Sequence, residues 1–470
     1  MSDKQIWQLD AVQLSALLAA GVLTPIDLFE AFLDRFDRLN GALNAFAFLD
    51  REGGRRAAEA SHVRHRKRER LGRLDGIPIS VKDNLYVAGL PAEWGSRLFR
   101  GHVPEHDDLC VERLRAAGAV IVGKSATAEF ALSGRTETRV LGTTRNPWNP
   151  ALTPGGSSGG AVAAVAAGII PLAIGTDAGG SIRLPASYTG LVGLRPSNGR
   201  IPRRYGFPPM ALDFQAIGLT ARTVGDLELL FTTLAGPDRR DPVSLSASSS
   251  GSPARPLRIG WFAQLGDDRP DEAVRASHEQ AVGVLSRLGH RVEPCAPPFE
   301  VARLKQIWET LSSVGAARVA LRFPNWEAEV TKPLAAIVER GRQRSAREYV
   351  EALDMLHEFR AETYANWREY DALVLPTGAA PAWPTDLEHP AVIGGKPGNG
   401  AIQSMFCGWV NAAGFTGLSV PADPHVDGRP IGVQFVARAG GDEMLLSLAR
   451  DFEAAAPWAE RWPELAGAEA

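Results

Sequence analysis

Residues 153–185 read TPGGSSGGAVAAVAAGIIPLAIGTDAGGSIRLP, and the rest of the chain is best read outward from them. The stretch sets Ser157 and Ser181 24 residues apart, each in a glycine-rich loop, with a helix-like and then a strand-like apolar run between them. A loop without Cβ atoms can take φ > 0 and bring several backbone N–H groups toward one point. Donors fixed in that way stabilise a developing oxyanion better than water does. A hydroxyl beside such a nest implies hydrolysis or transfer of an acyl group.

A serine hydroxyl also needs a base, and no histidine occurs between His106 and His278. Upstream, residues 72–85 read GRLDGIPISVKDNL, where Ile77, Ile79 and Val81 predict a buried strand that delivers Lys82 at its end. A lysine in that position is ordinarily an exposed charge. Inside a protein it becomes a base once desolvation keeps it neutral. Lowering it from about 10.4 to near 7 takes on the order of 4 kcal/mol, which burial supplies. A proton relay from Ser181 through Ser157 to Lys82 is then available. The plain alternative for Ser157 and Ser158 is a flexible Gly/Ser loop, but the apolar AVAAVAAG that follows argues for a positioned one.

Two other motifs occur in the chain. Gly155 to Gly159 fits the G-x-S-x-G elbow of α/β-hydrolases, which requires a strand leading into the serine. Pro147, Pro150 and Pro154 exclude a central strand there. Gly118 to Ser125 fits G-x-x-x-x-G-K-[ST], the phosphate loop of nucleotide-binding proteins. Its interior, Ala119 to Val122, is an apolar β-branched run that predicts a strand where that motif needs a bare turn. A nucleotide-binding protein is therefore the remote alternative.

VKDN at 81–84, GGSSGG at 155–160 and GTDAGGSIRLP at 175–185 resemble the motifs of the amidase signature family, in order and spacing. The flanks AGAVIVGK, TRNPWNP, TGLVGLRPSNGRI, QAIGLTARTVGDL and GRPIGVQFVAR extend the resemblance over nearly the whole chain. It implies a Ser–cisSer–Lys triad with Ser181 as nucleophile, Ser157 as the relay held by a cis peptide, and Lys82 as general base. The oxyanion hole implied is the amides of Ala178, Gly179, Gly180 and Ser181. Asp177, Arg183 and Ser158 are expected to support these groups, with Asp83 and Asn84 as hydrogen-bonding scaffold. Ser133 falls where the family places active-site support. Leu132, Trp94, Phe207 and Trp409 are candidates for the substrate pocket, each aromatic being as readable as core. The scheme calls for no metal and no cofactor.

The expected reaction is hydrolysis of a small uncharged aryl or alkyl amide. The alternative within the same resemblance is the glutaminase subunit of a tRNA-dependent amidotransferase. In those subunits an acidic residue seven positions before an asparagine grips the α-amino group of glutamine. Here SMFCGWVN puts Ser404 seven before Asn411, without a charge. GRQRSAREYVEAL, residues 341–353, likewise resembles general amidases, and Met405, Phe406 and Trp409 suggest an apolar pocket.

Composition fits an enzyme with one large core: 470 residues, 45% hydrophobic, 22% charged, net charge −3. No overall basic footprint for nucleic acid is present, and the local run Arg64 to Arg68 reads as the solvated face of a helix. Cys110, Cys295 and Cys407 lack metal-ligand spacing and read as reduced core residues. The apolar stretch near 161–174 is broken by Gly168 and Pro171 and is too short to span a bilayer, and no basic-then-apolar leader opens the chain. A cytoplasmic protein is expected, with a small-molecule amide as its partner, no membrane contact, and a homodimer left open.

Thr24 and Pro25 start a helix in which Leu28, Phe29, Phe32, Leu33, Phe36 and Leu39 recur at helical spacing, and residues 1–70 read as helical. Residues 77–201 alternate apolar runs, glycine turns and helices, and carry the signature core. Residues 237–256 read as a surface connection. LRIGWF, a helix, and HRVEP then form a βαβ unit. By resemblance, 257–470 returns to the same sheet. The expected fold is a single α/β amidase-signature domain, with a central mixed β-sheet covered on both faces by helices.

Overall fold

The computed structural model describes residues 5–249, 251, 256–367 and 369–467, so part of the serine-rich connection lies outside the described residues. The sheet has eleven strands: β1 Phe46–Leu49, β2 Pro78–Lys82, β3 Val120–Ser125, β4 Leu172–Asp177, β5 Val192–Arg195, β6 Ala216–Ala221, β7 Arg258–Trp261, β8 Arg291–Pro294, β9 Ala372–Pro376, β10 Thr416–Pro421 and β11 Gly432–Ala437. Their spatial order is β1-β3-β2-β4-β6-β5-β10-β11-β9-β7-β8. The runs β3-β2-β4 and β9-β7-β8 are parallel and the remaining neighbours antiparallel, so the sheet is mixed.

Both faces are covered, which explains why the central strands are continuous apolar runs rather than alternating ones. On β4, Leu172 and Ile174 enter one core cluster while Ala173 enters another. On β3, Ile121 faces the first and Val120 and Val122 the second. On β9, Ala372 and Val374 join that first cluster, and Leu373 and Leu375 a third, under helices Val301–Ala316, Ala346–Asn366 and Gly400–Ala413. The strands after residue 257 thus belong to the same sheet as the signature strands.

Two expectations are corrected. The first 70 residues are not wholly helical: Asn44 takes a left-handed φ of 53° that ends helix Pro25–Leu43, and Phe46–Leu49 turns back as an edge strand antiparallel to β3. Such a short strand carries no period of its own between two helices. The Gly118–Ser125 stretch, by contrast, is strand β3 and its lead-in, as its apolar interior predicts, and not a phosphate loop. Lys124 is buried, and its Nζ donates to the carbonyls of Leu85 (2.7 Å) and Pro91 (3.1 Å). The basic run is also only partly solvated. Arg64 pairs with the buried Asp75 at 2.6 Å, and His65 meets the carbonyls of Leu18 and Asp75, whereas Arg66, Lys67 and Arg68 are exposed.

Residues 237–249 run mostly over the surface, with one short helix, Pro242–Leu245, capped by Asp241. Among the described residues no helix is long and apolar enough to cross a membrane.

Candidate active site

Strands β2 and β4 are parallel neighbours, with Val81 opposite Ile174, so their carboxyl ends open side by side. Such ends are where α/β sheets bind ligands. β2 ends in Lys82, and β4 ends in Asp177 at the head of the Ala178–Ser181 loop. Between them, helix Gly159–Ala166 is fully buried and built of Gly, Ala and Val, which lets its N-terminus enter the space beside Lys82. That N-terminus carries Ser157 and Ser158. The Gly156–Ser157 peptide is cis. The amide of Ser158 donates to the Ser181 carbonyl at 3.2 Å, tying the two serine loops together.

Lys82 Nζ lies 2.8 Å from Ser157 Oγ, 2.8 Å from Ser158 Oγ and 3.2 Å from Thr176 Oγ1. It is wholly buried, and burial lowers its pKa from 10.5 to about 7, against an upward pull from Asp177 and with a further push down from Arg203. Sequence reasoning misses Thr176, the neighbour of Asp177 in the same motif. Its hydroxyl also accepts from Asn84 Nδ2 at 2.8 Å.

The Asp177 carboxylate accepts from the amides of Gly180 (2.8 Å) and Ile182 (3.1 Å), from Arg183 Nε (3.0 Å) and Nη2 (2.9 Å), and from Asn411 Nδ2 (2.9 Å). Burial alone would raise this carboxyl, but the charge and hydrogen bonds of Arg183, with Asn411 and Arg195, hold it well below the usual range. The same contacts correct one expected role. The Gly180 N–H is spent on Asp177, which leaves the amides of Ala178, Gly179 and Ser181 as candidates for an oxyanion. Gly180 sits at φ +113°, and a Cβ there would lie 2.7 Å from Cys407 Cβ, so no other residue fits. Burial raises the Cys407 thiol to about 12, and the thiol donates to the Thr377 carbonyl, which makes it packing rather than a nucleophile.

Asp177→Ala is expected to leave the buried Arg183 without its counter-charge and to destabilise the fold by about 3–5 kcal/mol. The urea midpoint measures this. A variant as stable as the parent would show that the pair is dispensable to the loop.

A cleft of about 330 Å³ opens over this site, lined by Ser181, Ala178, Gly179, Leu132, Ser133 and Trp94. It also takes in Phe130, Met210, Trp308, Tyr188 and Gln403, which the sequence did not single out. Trp308 lies against Gly179, where a Cβ would meet its ring at 3.0 Å. Two pocket candidates are corrected. Phe207 is buried behind Trp94, their rings edge to face at 4.9 Å, and does not line the cleft. Trp409 is buried in the core against Phe299, as are Met405 and Phe406, and Ser404 and Gln403 of the same helix reach the cleft instead.

The model of the amidase family matches residues 27–446. An acylamidase from Rhodococcus erythropolis is 32% identical over 98% of each chain. A glutamyl-tRNA(Gln) amidotransferase subunit from Acidothermus cellulolyticus is 34% identical over 95% of this chain and 94% of its own. Among solved structures, a bacterial aryl acylamidase of the amidase signature family superposes with a TM-score of 0.89 at 26% identity, covering 98% of this chain and 99% of that one. 6-Aminohexanoate cyclic dimer hydrolase with its substrate superposes with a TM-score of 0.87 at 30% identity, covering 98% and 100%. With the family model spanning most of the chain and relatives aligned end to end, this protein belongs to the amidase signature family of amide-hydrolysing enzymes.

Proposed function

We propose that this chain hydrolyses a small uncharged aryl or alkyl amide through an acyl-Ser181 intermediate. The observation that supports this most is the wholly buried Lys82 amine held 2.8 Å from Ser157 Oγ. A neutral amine has two N–H donors and one lone pair. Ser158 and Thr176 take the donors, which turns the lone pair toward the Ser157 hydroxyl. Ser181 Oγ attacks the carbonyl carbon while its proton passes to Ser157 Oγ and that of Ser157 to Lys82. The amides of Ala178, Gly179 and Ser181 receive the oxyanion, which preorganised donors stabilise without reorganising. The proton returns through Ser157 to the leaving nitrogen, the C–N bond breaks, and water then releases the carboxylate from Ser181.

The substrate assignment rests on the cleft wall. Trp94, Phe130, Leu132, Met210 and Trp308 are apolar, and Ser404 brings no charge. The carboxylates at the rim are paired, Glu309 with Arg344 at 3.1 Å and Glu388 with Arg135 at 2.9 Å, and the exposed Arg340 adds a cation there. A glutamine substrate would bring an ammonium into a cleft with no free carboxylate opposite Ser404, a loss of about 2–4 kcal/mol. The relatives that are amidotransferase subunits keep the glutaminase alternative in play. The purified chain is expected to turn over simple aryl and alkyl amides with a higher kcat/KM than free glutamine. Glutamine as the better substrate, or activity that appears only with a second subunit, sinks the assignment.

A further inference from the structure

Trp308 enters the cleft from outside every signature motif, on helix Val301–Ala316, and it is fixed on three sides. Its Nε1 donates to the Gly408 carbonyl at 3.2 Å, and its ring meets the wholly buried Phe214 edge to face at 5.1 Å. The third contact is with the Ser181 loop. A Cβ on Gly179 would lie 3.0 Å from Trp308 Cη2 and 3.2 Å from Cζ2, so the six-membered edge of the indole stands where a side chain of residue 179 would otherwise be. The ring is half-buried, and its remaining surface lines the cleft.

In the proposed reaction the Gly179 amide is one of the donors to the oxyanion, and such a bond puts that oxygen about 3 Å from the amide nitrogen. The first carbon of the acyl group follows two bonds further on. The other groups on the reacting carbon are already assigned: Ser181 Oγ is bonded to it, its oxygen turns to the loop amides, and its leaving nitrogen must face Ser157 Oγ to collect a proton. The acyl group takes the direction left over. Ser157 stands at the Ser181 end of the loop, where the Ser158 amide meets the Ser181 carbonyl at 3.2 Å, and Trp308 stands at the Gly179 end. The first acyl carbon therefore lies under the indole edge. A ring held on three sides does not move aside for an added methyl group, and crowding of that kind is costly.

We infer that Trp308 is a specificity-determining residue for the acyl half of the substrate, a ceiling over the carbon next to the scissile carbonyl that admits a CH₂ or a flat aryl carbon and rejects a branched one. The inference sharpens the aryl or alkyl reading. It rests on the acyl-Ser181 step of that reading and not on the identity of the leaving amine.

The test uses the full-length protein and the 4-nitrophenyl esters of propanoic, 2-methylpropanoic and 2,2-dimethylpropanoic acid, because an ester reports acylation without the proton return that an amine needs. Alkaline hydrolysis of the same esters supplies the intrinsic effect of branching. The wild-type protein is expected to prefer propanoate to 2-methylpropanoate in kcat/KM by about tenfold or more beyond the alkaline ratio, the discrimination that one methyl group brings in a closed pocket. The preference over 2,2-dimethylpropanoate is expected to be larger still. Trp308→Ala is expected to bring the first ratio to within about threefold of the alkaline one, chiefly by raising the rate on the branched ester. Trp308→Phe keeps a ring toward Phe214 but lacks the Cη2 edge, so it is expected to do the same and serves if Trp308→Ala fails to fold. Mere support of Gly179 would give no such gain, since its loss lowers all three rates together. No excess preference in the wild-type protein, an excess retained in a folded variant, or a parallel fall of all three rates overturns the inference. Ester cleavage no faster than with Ser181→Ala protein is a different failure: it removes the acyl-Ser181 step, and the inference with it.

Discussion

Ser181→Ala is expected to lose amide hydrolysis by about 10⁵-fold or more, leaving only what binding and the loop amides contribute. The oxygen that forms the acyl bond is gone, so no neighbouring group substitutes for it. The variant is also expected to gain no mass when treated with a fluorophosphonate, whereas the wild-type protein gains one adduct. Ser157→Ala is expected to keep a feeble residual rate and a slow adduct, because the nucleophile stays and only the proton path is broken. Intact-protein mass spectrometry with peptide mapping decides the assignment. An acyl adduct found on Ser157 would overturn it and restore the nucleophile elbow at Gly155 to Gly159.

The second large effect belongs to Lys82. Burial brings the amine to about pKa 7, so the base is charged and inactive below that pH and neutral above it. The rate of amide hydrolysis is therefore expected to rise as pH increases through about 7 and then to level off. Lys82→Ala is expected to cost amides far more than activated esters, by a further factor of about 10² or more. An amine leaving group needs its proton returned through Ser157, whereas a nitrophenolate does not. Steady-state rates on a matched anilide and nitrophenyl ester measure the difference. Amide turnover in Lys82→Ala close to that of the parent, or a rate that falls as pH rises through 7, excludes this role.

The same buried lysine sets a stability trend of definite sign. Its folded pKa lies below its value in the unfolded chain, so between about pH 7 and 10.4 the unfolded chain binds more protons. This group's contribution to stability accordingly rises with pH across that window. At Asp177 the slope has the same sign in an acidic window. The carboxyl is held low, so its contribution is present at neutral pH and is lost as pH falls below the ordinary carboxylate range.

Much of this site was legible in the chain because its constraints are local. The glycine-rich loops GGSSGG and GTDAGG stand out as runs of neighbouring residues, although the groups that leave no room for a Cβ there, among them Ser133, Ala126, Trp308 and Cys407, come from elsewhere in the chain, and the alternation of Ile77, Ile79 and Val81 places Lys82 at the end of a buried strand. The misassigned groups failed for identifiable reasons. Nothing local says that the Gly180 amide serves Asp177. Helix Gly400–Ala413 is buried on nearly all sides from Met405 to Ala413, so its hydrophobic pattern has no polar face to mark which side meets the cleft. Trp409 consequently reads as pocket lining when it is core.

The sequence by itself determined the family, the mixed α/β fold, the lack of a histidine between His106 and His278 along the chain, and the lysine whose buried amine reaches the serine loops. Only the tertiary structure decided what closes the site. Asn411 reaches Asp177 across 234 residues, Gln434 accepts from Arg183 across 251, and Trp308 arrives from a helix with no motif of its own to cover Gly179. Turn and strand signals are written in neighbouring residues, because they arise from backbone sterics and side-chain period. A cleft wall is a meeting of distant surfaces, and its chemistry exists only once the sheet has set strands β2, β4, β10 and β11 and the helices across them at fixed distances.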